Sequence, residues 1–146
     1  MVHCMHTITE FFISTWLWHF TCGWMQVALN ALLLWFLLYW IAHISLIRAF
    51  LLTVMAHVIV SLIFSACIFM LVHICEPDSA QMGQYTVIYT HPHYVTLSFG
   101  LLYSTLLILF FGTFHYAYNL PITHVYIATL LAALISSLIT PLIICV

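Results

Sequence analysis

The sequence predicts an all-α integral membrane protein folded as one bundle of four to five helices. Hydrophobic residues make up 66% of the 146-residue chain and charged residues 3%, whereas an average soluble domain has about 25% charged residues. So few charges cannot cover a surface that faces water. The apolar runs are long and continuous rather than alternating, which argues against a β-barrel. At about 20 residues per span, the length allows four or five helices in a single membrane domain.

Residues 1–44 are predicted to hold the N-terminal helices. After a short polar head, residues 11–22 form an aromatic segment that is short for a span. It is interpreted as an interfacial helix or as an early part of the next helix, because Trp side chains favour the headgroup level. Residues 25–44 are apolar and predict a clear membrane span.

Residues 45–74 are predicted to form one long helix, because neither Gly nor Pro interrupts them. Such a helix is about 45 Å long at 1.5 Å per residue. The hydrocarbon core of a bilayer is only about 30 Å thick, so the helix is expected to tilt strongly or bend. This stretch carries Arg48, the only Lys or Arg in the chain.

The remainder of the chain consists of one polar and one apolar stretch. Residues 75–93 are predicted to be a loop outside the membrane, because they hold two of the three acidic residues together with Pro, Gly and Gln. Residues 94–146 are apolar and too long for one upright span. Gly112 and the step from Asn119 to Pro121 are expected to break this C-terminal helical region into two arms.

The near absence of charge also bears on where the protein is made and what it binds. Membrane proteins usually orient themselves by Lys and Arg in their loops, and this chain has a single such residue. It shows neither the basic start of a signal peptide nor an Arg-rich transit peptide. These features favour an organelle-encoded protein of the mitochondrial inner membrane. Nucleic-acid binding is excluded by the lack of basic residues.

Arg48 and His57 are the candidate functional pair. Arg remains charged at any accessible pH, and at the centre of a bilayer it costs at least about 2.5–3.5 kcal/mol. Arg48 is therefore predicted to face a water cavity or an opposite charge. His57 follows nine residues later (57 − 48 = 9), which is about 13 Å along a helix and places it on the opposite face. Because His changes charge near neutral pH, His57 suits proton handling.

The histidines raise the alternative of a haem or zinc site. His43 and His57 are 14 residues apart (57 − 43 = 14), a spacing that can hold two haems on one helix. A second such pair is needed, however, and His115 and His124 are only 9 apart (124 − 115 = 9). No H-E-x-x-H zinc motif occurs, and the scattered cysteines are interpreted as apolar fillers. We therefore predict no cofactor and no metal.

Two segments resemble subunit a of the F-type rotary ATP synthases. Residues 45–48 and 55–57, read S-L-I-R and M-A-H, are similar to the penultimate helix of that family. The family's Arg falls on Arg48, and its position nine residues later falls on His57. The run H-V-Y-I-A-T-L-L at residues 124–131 is similar to the family's last helix, with His124 in place of Gln. The resemblance covers about residues 45–70 and 110–135.

The resemblance implies a fold, partners and a role for each matched residue. The last two long helices would form a tilted hairpin against the rotor ring, and the partners would be the c-ring, other Fo stator subunits and membrane lipids. Arg48 would attract the deprotonated carboxylate of a ring subunit and block a direct proton leak. His57, His124, Asn119 and His115 would line a half-channel that feeds protons to the ring.

The sequence departs from the family at two positions. Leu52 stands where the family has Asn, and Ala117 stands where the family has an ionisable residue. His115 or Asn119 would take the place of the ionisable residue that is missing at Ala117. Three hydroxyl residues near the C-terminus, Ser136, Ser137 and Thr140, could line a second half-channel, but they are predicted to bond back to their own helix.

Two other functions remain alternatives. The chain could be a small membrane subunit of respiratory complex I, in which polar groups in helices serve proton pumping. It could also be a structural assembly subunit in which Arg48 pairs with a neighbour's acid or a lipid phosphate. The phosphoryl chemistry of an ATP synthase would belong to other subunits, because the chain has no P-loop. Each function predicts a different complex.

Overall fold

The computed structural model describes residues 23–75 and 92–144. They form four helices: α1 (Gly23–Trp40), α2 (Leu46–Cys75), α3 (Pro92–Tyr118) and α4 (Ile122–Ile144). By length and composition, each is long and apolar enough to cross a membrane. The described chain is thus all-helical, as predicted, and multi-pass. The aromatic segment 11–22 and most of the polar stretch 75–93 lie outside the described residues.

The first span ends earlier than predicted, because the chain leaves the helix after Trp40. His43 has a left-handed backbone (φ 53°), a conformation that stops a helix and that His adopts more readily than bulky apolar residues. The Ile44 N–H donates to the Leu38 carbonyl at 3.3 Å, which satisfies a carbonyl of the last turn. A short linker over residues 41–45 then reverses the chain into α2.

Helix α2 runs uninterrupted for 30 residues, against the predicted range 45–74. Its first turn is joined to α1 by Trp35, whose indole N–H donates to the Leu46 carbonyl at 3.0 Å. The Trp35 ring also meets Phe50 edge to face, with the ring centroids 5.3 Å apart. These contacts hold the start of α2 against the end of α1.

The C-terminal region is a hairpin of two helices that turns at Asn119. Asn119 takes a left-handed conformation (φ 50°), and the Leu120 N–H donates to the His115 carbonyl at 3.0 Å, as in a helix C-cap. Pro121 cannot continue the hydrogen-bond ladder of α3, and α4 begins one residue later. The expected break at Gly112 is wrong, because α3 passes through it without interruption. The helix continues through Gly112, and the missing side chain leaves room for the hydroxyl of Tyr126. Gly112 therefore allows close packing and does not form a turn.

The four helices form an antiparallel bundle with up-down-up-down order. Helix α1 packs against α2 and α4, and α3 packs against the same two helices. Within the described residues, α2 and α4 lie at opposite corners without backbone contact. The backbone of the helix that carries Arg48 therefore approaches the first arm of the C-terminal region and not the second. We call the end where α1 and α3 finish the Arg48 end, and the opposite end the Gly23 end.

The interior of the bundle is divided along its length. Toward the Gly23 end it contains buried polar side chains on all four helices. Toward the Arg48 end it is mainly apolar, and the buried Thr129 hydroxyl of α4 bonds to its own helix. An aromatic group of Phe64, Phe99 and Tyr103 fills the contact between α2 and α3, with Phe99 and Tyr103 stacked at 5.7 Å. This division positions the candidate site.

Candidate functional site

The inner face of α1 changes character half-way along the helix. Gln26, Asn30, Leu34 and Leu38 follow one another at a spacing of four residues, so they lie on one face, and all four are buried. Amides occupy the Gly23 end of this face and leucines occupy the Arg48 end. Polar groups inside a membrane protein meet other polar groups of the bundle, and both amides do so.

Gln26 ties three helices together at the Gly23 end. Its Nε2 donates to the Thr96 carbonyl on α3 at 2.8 Å and to the Ser137 hydroxyl on α4 at 3.1 Å. Gly100 of α3 makes this approach possible, because a Cβ there would overlap Ser137 Oγ and lie 3.2 Å from Gln26 Nε2. Small residues at helix interfaces allow such close approach in membranes.

His57 lies one turn deeper in the bundle and is 6% exposed. Its Nε2 is 3.1 Å from the Asn30 side-chain oxygen on α1, and its Nδ1 is 2.9 Å from the Thr53 carbonyl on its own helix. Asn30 reaches on to α4, where its Nδ2 donates to Ser136 Oγ at 3.4 Å. Through Asn30, His57 on α2 is connected to α4, whose backbone α2 does not approach. We call Gln26, Asn30, His57, Ser136 and Ser137 the polar seam.

Tyr103 of α3 closes the other side of His57. The two rings lie 5.7 Å apart, and the Tyr103 hydroxyl donates to the His57 carbonyl at 3.3 Å. The same hydroxyl pairs with Ser61 Oγ at 2.8 Å. The imidazole of His57 thus has polar partners on α1 and α2, and the Tyr103 ring of α3 lies beside it.

Thr53 is the exception among the buried polar groups. It is 2% exposed, and its hydroxyl has no hydrogen-bond partner among the residues that the structure describes. Its carbonyl is the acceptor for His57 Nδ1. Buried hydroxyls are normally satisfied, so this unpaired oxygen marks the inner limit of the polar seam.

Beyond Thr53, the buried side chains that α1 and α3 contribute toward the Arg48 end are apolar. Leu34, Leu38, Leu107 and Phe111 are all fully buried. We call these four residues the apolar plug. All four belong to the hydrophobic core, and among the described residues the hydrogen bonds of the polar seam do not continue past the Thr53 carbonyl toward the Arg48 end.

Arg48 lies in the first turn of α2, at the end of the bundle and not half-way along it. Its side chain is exposed, and its guanidinium donates to the Tyr118 carbonyl in the last turn of α3. A cation at a helix C-terminus is favourable because carbonyl groups there carry partial negative charge. As the nine-residue separation predicts, Arg48 points outward while His57 points inward.

The other predicted site residues cluster at the Arg48 end, away from His57. His115 is half-buried, and its Nδ1 contacts the Gly112 carbonyl of its own helix at 2.7 Å. Asn119 forms the turn described above, and His124 is exposed in the first turn of α4. The structure therefore does not bring His115, Asn119 or His124 together with His57.

The two residues that depart from the family pattern lie in unlike surroundings. Leu52 is buried in the apolar core, and Ala117 is exposed near the end of α3. The haem alternative fails because His43 lies in the linker before α2, so His43 and His57 do not share a helix. Within the described ranges, no three His, Cys, Asp or Glu residues come together to hold a metal ion.

The C-terminal hydroxyls follow the prediction in part. Ser136 and Thr140 donate to carbonyls of their own helix, at 3.1 Å to Ala133 and 2.6 Å to Ser136. Ser137 and Ser136 also accept hydrogen bonds from Gln26 and Asn30. The expectation that these groups only bond back to their helix is therefore incomplete.

Sequence reasoning missed Gln26, Asn30 and Tyr103. The sequence did carry a signal for Gln26 and Asn30. Two amides four residues apart lie on one face of a helix, and exposing that face to lipid costs free energy. Tyr103 had no such signal, since Tyr occurs at several other positions of the apolar runs. Its proximity to His57 arises from the packing of α3 on α2.

In comparisons with known proteins, no family model matches the chain, and no match was found among curated proteins or solved structures.

Proposed function

We propose that the chain is a proton-translocating subunit of a membrane complex, and specifically subunit a of a mitochondrial F-type ATP synthase. The observation that carries the proposal is a titratable residue, His57, at the inner end of a polar seam. The seam begins near one end of the bundle and stops at the apolar plug. Such a path admits protons from one side of a membrane without joining the two sides.

Arg48 has a part in this proposal because it is exposed on the outer face of α2. A guanidinium has five N–H donors, and one hydrogen bond to the Tyr118 carbonyl leaves donors for a partner. A ring carboxylate beside Arg48 would be held in its ionised form, because an opposite charge favours ionisation. The partners are then the c-ring and the other Fo stator subunits.

The test of this function is to isolate the full chain from its native membrane in mild detergent and identify its partners. A multi-copy ring of small subunits is expected. In vesicles that hold the isolated complex, the variant His57→Leu is expected to reduce proton flux, followed with a pH-sensitive dye, to background. The control His43→Asn keeps flux, because His43 is exposed in a linker and Asn tolerates its backbone conformation. Copurification with respiratory complex I, or unchanged flux in His57→Leu, contradicts the proposal.

A second candidate function, structural assembly, is favoured by the position of Arg48. The residue lies at the Arg48 end, where exposed Trp40 and Tyr116 also lie, and these residue types collect at the headgroup level. Its hydrogen bond to the Tyr118 carbonyl links the first turn of α2 to the last turn of α3. In that function Arg48 stabilises the bundle and has no ring carboxylate to meet.

The variant Arg48→Lys separates the two functions. Lys retains a cation that can donate to the Tyr118 carbonyl, so we expect the complex to assemble in either case. The ammonium can lose its proton when buried, whereas guanidinium does not. For the stator we therefore expect proton-driven ATP synthesis to fall to background, while an assembly subunit keeps it. Arg48→Ala is expected to lower the free energy of unfolding by about 1 kcal/mol or less, the usual strength of a cation at a helix end.

A further inference from the structure

We propose that His57, Asn30 and Ser136 form one proton-binding unit, in which the Asn30 amide turns by 180° when His57 gains or loses its proton. The inference deepens the proposed function and rests on it only for the source of the proton. It comes from the hydrogen-bond partners of the two ring nitrogens of His57, and it assigns a positioning role to Asn30.

Both ring nitrogens of His57 face oxygen atoms. Nδ1 faces the Thr53 carbonyl at 2.9 Å, and Nε2 faces the Asn30 side-chain oxygen at 3.1 Å. A carbonyl oxygen accepts and never donates, so each contact is a hydrogen bond only if the nitrogen carries a hydrogen. Imidazolium has a hydrogen on both nitrogens, whereas neutral imidazole has it on one. With the Asn30 amide in this orientation, both contacts are hydrogen bonds only when His57 is protonated.

The neutral form requires a different partner at Nε2. The Thr53 carbonyl belongs to the backbone of α2 and cannot turn, so the remaining hydrogen stays on Nδ1. Nε2 then has a lone pair and needs a donor. Asn30 supplies one by rotating its amide, which exchanges the positions of its oxygen and its NH₂ group, two groups of nearly equal size.

Ser136 completes both arrangements. In the protonated form, Asn30 Nδ2 donates to Ser136 Oγ at 3.4 Å, and the Ser136 hydroxyl donates to the Ala133 carbonyl at 3.1 Å. After the amide turns, its oxygen faces Ser136, whose hydroxyl rotates to donate to it. A hydroxyl can both donate and accept, so neither state leaves the amide without a partner.

The proton balance of the step is simple. A proton that enters from water at the Gly23 end binds the lone pair of Nε2, the hydrogen bond from Asn30 Nδ2 to Nε2 breaks, and one from Nε2 to the Asn30 oxygen forms. The only other titratable side chain described close to the ring is Tyr103 of α3, whose hydroxyl is engaged with Ser61 and the His57 carbonyl. Arg48 lies nine residues away and points outward.

Nitrogen-15 NMR of the full chain in lipid bilayers, labelled at His, Asn and Gln, tests the unit without measuring transport. The His57 signals are identified by their loss in His57→Gln. We expect the neutral ring to carry its hydrogen on Nδ1, and we expect the Asn30 amide signal to change at the same pH as the His57 signals. The Gln26 amide, which has other partners, serves as the internal reference. A neutral ring with its hydrogen on Nε2, or an Asn30 signal that stays constant while His57 titrates, overturns the proposal.

The variant Asn30→Leu gives an independent check at nearly equal side-chain volume. Protonated His57 would then have an Nε2–H without an acceptor in the interior, which is costly. We expect His57 to remain neutral over the pH range in which the natural protein takes up its proton. Thr129→Val, which removes a buried α4 hydroxyl bonded only to its own helix, leaves the titration unchanged. A titration of Asn30→Leu equal to that of the natural protein contradicts the unit. If the unit is observed but vesicles show no flux, the proposed function fails and the proton site stands.

Discussion

Replacing Gly100 by Val is expected to lower the free energy of unfolding of the bundle by about 3 kcal/mol, the upper part of the usual range for overpacking. Any Cβ at this position overlaps Ser137 Oγ and crowds Gln26 Nε2. The serine is short and cannot move away without giving up its bond from Gln26. Helices α3 and α4 must therefore separate, and the hydrogen bond from Gln26 to the Thr96 carbonyl is strained as well.

The matched control for Gly100→Val is a substitution at the second glycine of α3. A Cβ at Gly112 lies 2.6 Å from the Tyr126 hydroxyl, which is the far end of a flexible side chain and can shift. Gly112→Ala is thus expected to cost less than about 1 kcal/mol, because Ala also has the higher helix propensity. Unfolding in detergent, followed by circular dichroism against added denaturing surfactant, compares the two variants. Equal stability of Gly100→Val and the natural protein contradicts the close α3–α4 approach.

The double variant Leu34→Asn with Leu38→Asn is expected to make the bundle leak protons. The two leucines continue the face on which Gln26 and Asn30 lie, so the substitutions extend the row of amides through the apolar plug toward the Arg48 end. The plug is the hydrophobic barrier between the polar seam and that end. We expect the passive proton permeability of liposomes that hold the full chain to rise by about tenfold, which corresponds to a barrier lower by about 1.4 kcal/mol.

The control for the leak places the same side chains on the lipid-facing side of α1. Leu32 and Phe36 are also four residues apart, and they are 60% and 57% exposed. Leu32→Asn with Phe36→Asn adds two amides to α1 without touching the plug, so no leak is expected. Circular dichroism of both variants verifies that the helices form. A leak in the control, or none in the interior variant, shows that the plug is not the barrier.

Several parts of the fold follow from composition and from runs of apolar residues. With 3% charged residues, the chain is suited to a membrane, and its long continuous apolar runs favour helices over the alternating strands of a β-barrel. The long helix α2 was predictable since it contains no residue that breaks a helix. The turn at Asn119 was predictable since Pro121 follows it. The break predicted at Gly112 was wrong because glycine can either end a helix or allow close contact between helices. The local sequence does not distinguish these two roles.

The candidate site was predictable only where one helix determines the geometry. The opposite orientations of Arg48 and His57 follow from helical periodicity and agree with their exposure. The position of Arg48 at the end of the bundle does not follow from that rule, because the apolar run continues on both sides of it. The linker after Trp40 determines where α2 begins. The left-handed conformation of His43 ends the preceding helix, and nothing in the surrounding apolar sequence indicates that conformation.

By itself, the sequence determined that this protein is a bundle of long apolar helices, because hydropathy and helical periodicity are properties of single segments. It also determined that His57 and Arg48 lie on different sides of α2. Only the tertiary structure decided that His57 meets Asn30, that Asn30 meets Ser136, and that leucines close the path beyond them. Those contacts join α1, α2 and α4, and which corners of a bundle adjoin depends on how the faces of different helices pack together, which no single segment specifies.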